Sequence, residues 1–70
     1  PLHMWVLYEH PADFPDECVA RLFIGGIATD TCIRGDSVWY LRVVIVHNYP
    51  GLMRVPPDGS DPPEVVEIWM

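Results

Sequence analysis

Proline and glycine punctuation is the feature that most narrows what this chain can fold into. Eight prolines and five glycines interrupt 70 residues, and most gather at Pro11 to Pro15, Gly25-Gly26, Pro50-Gly51 and Pro56 to Pro63. Proline fixes φ and removes a backbone donor, while glycine supplies the positive φ angles of tight reversals. What remains between the breaks is a set of short apolar runs, the pattern of strands joined by turns.

Met4-Trp5-Val6-Leu7-Tyr8 reads as the first strand, being short, apolar and rich in aromatic and branched residues. Glu9 to Asp16 is a loop with two prolines and three carboxylates. Cys18 to Ile24 reads as a second strand, Gly25-Gly26 as its reversal, and Thr31-Cys32-Ile33-Arg34 as a weaker third. A turn centred on the glycine pair places Cys18 and Cys32 near each other across the hairpin, within reach of a link under oxidation. Val65 to Trp69 closes the chain as a strand after the turn-rich stretch Val55 to Pro63.

Val38 to His47 carries two opposed signals. Its valines, isoleucine, Trp39 and Tyr40 favour a strand, yet strict alternation is absent. Val38, Leu41, Val44 and Ile45 share one helical face, with Asp36-Ser37 as an N-cap before them and Pro50-Gly51 as a stop after them. The capping and spacing favour a helix. The expected fold is α+β: a small antiparallel sheet, in chain order β-β-β-α-β, with one helix on one face.

Pro1-Leu2-His3, standing before Met4, reads as a cloning scar, so the single domain is taken as residues 4–70 and His3 is left out of the functional reading. A core this small rarely supplies more than about 3–5 kcal/mol net, so self-association or docking would help stability.

The stretch Met4-Trp5-Val6-Leu7-Tyr8-Glu9-His10-Pro11-Ala12-Asp13-Phe14-Pro15, the segment Pro50-Gly51-Leu52-Met53-Arg54-Val55-Pro56, and Asp61-Pro62 with the terminal Val65-Val66-Glu67-Ile68-Trp69 carry a resemblance. The chain looks like a group of short uncharacterised proteins of bacteria and their mobile elements, and the likeness covers most of its length. In that group the counterpart of Val38 to His47 is more polar and more clearly helical, which supports a helix here. The resemblance implies a fold and no activity.

Charge carries the functional signal. Ten carboxylates face four arginines and no lysine, a formal charge of −6. Such a body repels nucleic-acid phosphates and anionic membranes, while the same field favours a basic protein surface. No apolar run reaches the roughly 18–20 residues of a membrane span, and no signal peptide opens the chain, so a bacterial cytoplasmic location is expected.

Catalytic constellations are weak. Glu9-His10-Pro11-Ala12-Asp13 is the one cluster of histidine and carboxylates, and it lacks the three converging ligands of a hydrolytic metal centre. It reads as a rigid loop whose His and Asp satisfy local backbone groups. Ser37 and Ser60 lie in cap and turn contexts, Cys18 reads as a buried thiol, and Gly25-Gly26 lacks the lysine of a phosphate loop. Arg34-Gly35-Asp36 reads as a chance tripeptide at a strand-to-helix junction. No cofactor motif is present.

The leading expectation is a non-enzymatic acidic binding protein, of the kind a phage or mobile element uses as an anti-defence, anti-CRISPR-like inhibitor, occupying a basic nucleic-acid-binding surface of a host protein. The residues expected to meet the partner are Glu9, Asp13, Asp16, Glu17, Asp58, Asp61 and Glu64, with Trp39 and Tyr40; Glu67 is grouped with the second acidic stretch. The expectation requires the two stretches to meet on the folded molecule. The alternatives are a homodimer acting through the apolar excess at Trp39, Tyr40, Val43 and Val46, and a small metal- or thiol-dependent enzyme using His10, Asp13 and Cys18.

Overall fold

Apolar side chains on both faces of Met4 to Tyr8 suit a strand at the middle of a sheet, and that is where the segment lies. The computed structural model describes all 70 residues. Strands β1 (His3–Glu9), β2 (Cys18–Ile24) and β3 (Ile27–Gly35) precede helix α1 (Val38–Asn48), and β4 (Arg54–Val55) and β5 (Val65–Trp69) follow it. The five strands form one antiparallel sheet in the order β3-β2-β1-β5-β4.

β1 is therefore central, and its residues alternate between two covered faces. Trp5 and Leu7 join Cys18 and Ala20 of β2 beneath Leu41 and Ile45 of α1, all of them buried in one cluster. Val6, Val19 and Val65 are also buried. Val6 and Val19 alternate with that cluster and so belong to the opposite face. There the loop after β1 closes over the sheet, burying Pro11 near Tyr8 and Val19.

The sheet departs from expectation in three places. The third strand starts at Ile27 rather than Thr31, directly after a turn in which Gly25 and Gly26 both have positive φ (59° and 81°). His3 belongs to β1 and pairs with Ile24. A fifth strand, β4, occupies Arg54–Val55, where the sequence shows only the start of a loop. Reciprocal backbone bonds between Met53 and Met70 (2.9 and 3.1 Å) extend it, and Pro56-Pro57 end it. A two-residue edge strand has too few side chains to show a pattern.

The Cys18–Cys32 proximity is overturned by the register. Cys18 pairs with Gly35 and Cys32 with Arg21. Cys18 thus points into the helix-covered core while Cys32, opposite Arg21, belongs to the other face. Both thiols are free.

The helix forms despite its β-branched composition because ends and face agree. The Ser37 Oγ accepts from the Tyr40 N–H (3.1 Å), satisfying an orphan donor of the first turn. Leu41 and Ile45, one turn apart, have no exposed surface, and Val38 and Val44 are half-buried beside them. Truncating either buried residue to alanine costs about 2–5 kcal/mol by general experience. The chain leaves the helix through Tyr49, whose ring lies 5.4 Å from that of Trp5, and Gly51 turns it away at φ 115°. The backbone of α1 lies over β1, β2 and β3, and the helix reaches β5 through side chains, with Arg42 bonded to Glu67.

Candidate functional site: an acidic end and an apolar groove

Strand direction decides where the carboxylates go. β1 ends, β2 begins, β3 ends and β5 begins at the same edge of the sheet: Glu9 pairs with Cys18, Cys18 with Gly35, and Tyr8 with Val65. The Glu9 N–H donates to the Glu64 carbonyl (2.8 Å), tying the first acidic loop to the second. Glu9, Asp13, Asp16, Glu17, Asp61 and Glu64 are thereby brought to one end of the molecule. Asp36 joins them because it follows Gly35, which the register places beside Cys18. Sequence reasoning missed Asp36, since only the β2–β3 register brings it there.

The loop between β1 and β2 is held from within. His10 takes a left-handed φ of 51°, its N–H donates to the Glu17 carbonyl (3.0 Å), and its ring Nδ1 lies 2.9 Å from the Pro15 carbonyl. Histidine is among the residues that tolerate this backbone region. Two successive turns, Phe14 N–H to Pro11 carbonyl and Glu17 N–H to Phe14 carbonyl, complete the fold of the loop. His10 thus satisfies a local backbone group as expected, whereas the Asp13 carboxylate turns to Arg21 at 3.4 Å.

Two of the seven carboxylates are partly neutralised. Arg21 reaches Asp13 while donating to the Thr29 carbonyl (2.8 Å), and Arg34 lies 3.3 Å from Glu17 and over the Phe14 ring at 4.8 Å. Glu9, Asp16, Asp36, Asp61 and Glu64 form no ion pair with arginine. A pocket of about 300 Å³ opens between Tyr8, Asp13, Arg21 and Glu64. Burial raises the Tyr8 phenol above its ordinary pKa; Arg21 pulls the other way, and the charges of Glu64, Asp13 and Asp61 add to the rise. The phenol thus registers carboxylates from both stretches around it.

One sequence assignment needs correction. Glu67 is not part of the acidic surface. It pairs with Leu7, lies 4% exposed on the helix-side face, and accepts from Arg42 Nε (2.6 Å) and Trp69 Nε1 (2.8 Å), with Arg54 at 4.0 Å. Burial alone pushes its carboxyl up, but those two hydrogen bonds and the two guanidinium charges outweigh it and hold the pKa below the ordinary glutamate value. Asp58 sits in the tip of the second loop, its carboxylate occupied by the Ser60 hydroxyl and N–H, which depress its pKa.

Trp39 and Tyr40 do not form one patch either. Tyr40 lies toward β3, its ring against Gly35. Trp39 points to the other flank, where with Arg42, Val43, Val46, His47 and Trp69 it lines an open apolar groove of about 600 Å³. Helical geometry separates neighbours by about 100° of rotation, so adjacent residues cannot share a narrow face. The sequence marks Trp69 only as a strand end. Its place opposite Trp5 of β1 puts it on the helix-side face, half-buried against the core cluster beside the α1 flank.

Cys18 is 2% exposed, and burial, followed by the charge of Glu9, raises its thiol pKa. No three His, Cys, Asp or Glu residues are grouped so as to hold a metal ion. No helix is long and apolar enough to cross a membrane. None of the protein-family models, curated proteins or solved structures compared with this chain matches it.

Proposed function

We propose that this chain is a non-catalytic binding protein whose acidic end occupies a basic, nucleic-acid-binding surface of another protein, as an anti-defence inhibitor of a phage or mobile element would. One observation carries the reading: carboxylates from two stretches some 45 residues apart in sequence meet at one end of the sheet, with Glu9 bonded to the backbone of Glu64. Seven carboxylates there face two guanidiniums, so the local charge resembles a short run of phosphates. The closely bonded 10–17 loop presents its charges from a fixed backbone, which lowers the ordering cost of docking.

The test uses four side chains without arginine partners. Glu9→Gln, Asp16→Asn, Asp61→Asn and Glu64→Gln are combined in one variant. Proteins retained from a bacterial lysate by the wild type are identified, and each is titrated at low and high salt against a double-stranded oligonucleotide competitor. The expected outcome is a nucleic-acid-binding partner that the oligonucleotide displaces, with affinity falling steeply with salt and about 10- to 100-fold in the variant. Equal affinity of variant and wild type across the salt range, or no competition by oligonucleotide, overturns the proposal.

A further inference from the structure

We propose that the cavity between Tyr8, Glu64 and the β1–β2 loop receives one arginine or lysine side chain of the protein that the acidic end meets. The inference rests on the docking reading above and names the group recognised. Tyr8 and Val19 are paired across β1 and β2, on the face opposite the helix-covered cluster. Pro11, Ala12 and Asp13 of the first loop, Arg21 of β2 and Glu64 of the second loop complete the lining. The β1–β5 register slips by one residue between Leu7 and Tyr8, and bulges of this kind re-aim side chains beside functional sites.

The cavity is held open by backbone bonds rather than by an occupant. The Phe14 N–H donates to the Pro11 carbonyl (3.0 Å), which fixes the first loop, and the Glu9 N–H donates to the Glu64 carbonyl (2.8 Å), which ties the two loops together. Filling a site built in advance loses little ordering entropy.

Size and lining narrow the occupant. A volume of about 300 Å³ lies at the floor of the range for small-molecule sites, room for one side chain rather than a whole ligand. Pro11, Ala12, Val19 and the Tyr8 ring offer apolar contact to a methylene stem, while the aromatic face and the carboxylates suit a cationic head.

Charge decides the sign. Arg21 is the one cation in the lining, and it is already committed: it donates to the Thr29 carbonyl (2.8 Å) and lies 3.4 Å from the Asp13 carboxylate. Glu64 has no arginine partner, and Asp61 stands near enough to act on the Tyr8 phenol. Two lining carboxylates against one guanidinium leave the cavity negative before Asp61 is counted, so an anion is repelled and a cation drawn in. An inserted basic side chain would pair Glu64 and anchor the contact from its centre, as buried arginines do at interfaces.

Titration with capped tripeptides, followed by two-dimensional amide NMR, decides it. Acetyl-Gly-Arg-Gly-amide and its lysine counterpart are expected to bind with Kd on the order of 1–10 mM, with amide shifts centred on Tyr8, Ala12, Val19 and Glu64. The norleucine counterpart keeps a stem without charge and should bind at least ~10-fold more weakly. Ala12→Leu fills the cavity while leaving every charge in place, and should weaken the arginine peptide at least ~10-fold. Glu64→Gln should weaken it about 3- to 5-fold, whereas Asp30→Asn, which removes an exposed carboxylate on β3, should change it little. Shifts spread evenly over the acidic end, or an Ala12→Leu variant with unchanged circular dichroism and unchanged affinity, overturns the proposal. An arginine peptide that fails to bind, while the four-site variant still loses its protein partner, ends this inference and leaves the acidic-end reading standing. A peptide that binds at the cavity, while the partner ignores the four-site variant, overturns the docking reading and leaves the cavity a cation site.

Discussion

Arg42→Met isolates the energetics of the buried Glu67. The substitution keeps much of the alkyl stem but removes the Nε donor at 2.6 Å and its charge, leaving a carboxylate that is 4% exposed. Breaking a fully buried pair costs about 3–5 kcal/mol. Here Arg42 is itself 37% exposed, so water can follow it out, and the Trp69 bond and nearby Arg54 remain. The expected loss is about 2 kcal/mol at pH 7, near the value of one charge-assisted hydrogen bond. In a domain of this size that is roughly a 10 °C fall in melting temperature. The pH dependence supplies the second arm. The folded pKa of Glu67 is depressed, so its contribution is present above the ordinary value of about 4.3 and is lost as pH falls through the folded value. The wild type should therefore lose this increment in acid, and the gap to the variant should shrink below about pH 4. Urea denaturation followed by tryptophan fluorescence at neutral and acid pH measures both, and Arg42→Met with Glu67→Gln should recover more than half of the loss. A gap under about 0.5 kcal/mol at pH 7, or one of equal size at about pH 3.5, refutes the reasoning.

Two further outcomes follow from side chains the fold separates or presses together. Gly35→Ala should cost about 1 kcal/mol, because a Cβ there collides with the Tyr40 ring. The same substitution in a Tyr40→Ala background should be close to neutral, and an equal cost in both backgrounds would assign it to the backbone instead. In native conditions a thiol reagent should modify Cys32 well before Cys18, whose thiol is 2% exposed and kept protonated by burial. Mild oxidation should yield no intrachain disulfide, because the two side chains belong to opposite faces; equal labelling rates or an internal link would contradict the β2–β3 register.

Local chemistry was sufficient for the helix and four of the strands, but not for β4 or for the start of β3. Ser37 before the run, Leu41 and Ile45 one turn apart and Pro50-Gly51 after it made α1 legible, although valine and isoleucine argued for a strand. The glycine pair announced its hairpin, and the apolar Met4–Tyr8 run announced a strand, though its central place showed only in the sheet order. The charge and the separate acidic stretches were also legible, because composition needs no fold. Tertiary structure alone decided which charges are neighbours. Glu67 reads as one more acid after Glu64, yet alternation along β5 and pairing with Leu7 turn it inward to Arg42 and Trp69. Asp36 reads as a cap neighbour, yet the Cys18–Gly35 register sets it at the acidic end. Cys18 and Cys32 differ in face because a pleated strand reverses its side chains at each residue. Spacing along a chain specifies local geometry, whereas proximity between strands depends on register and order, which the whole sheet and its covering helix determine together.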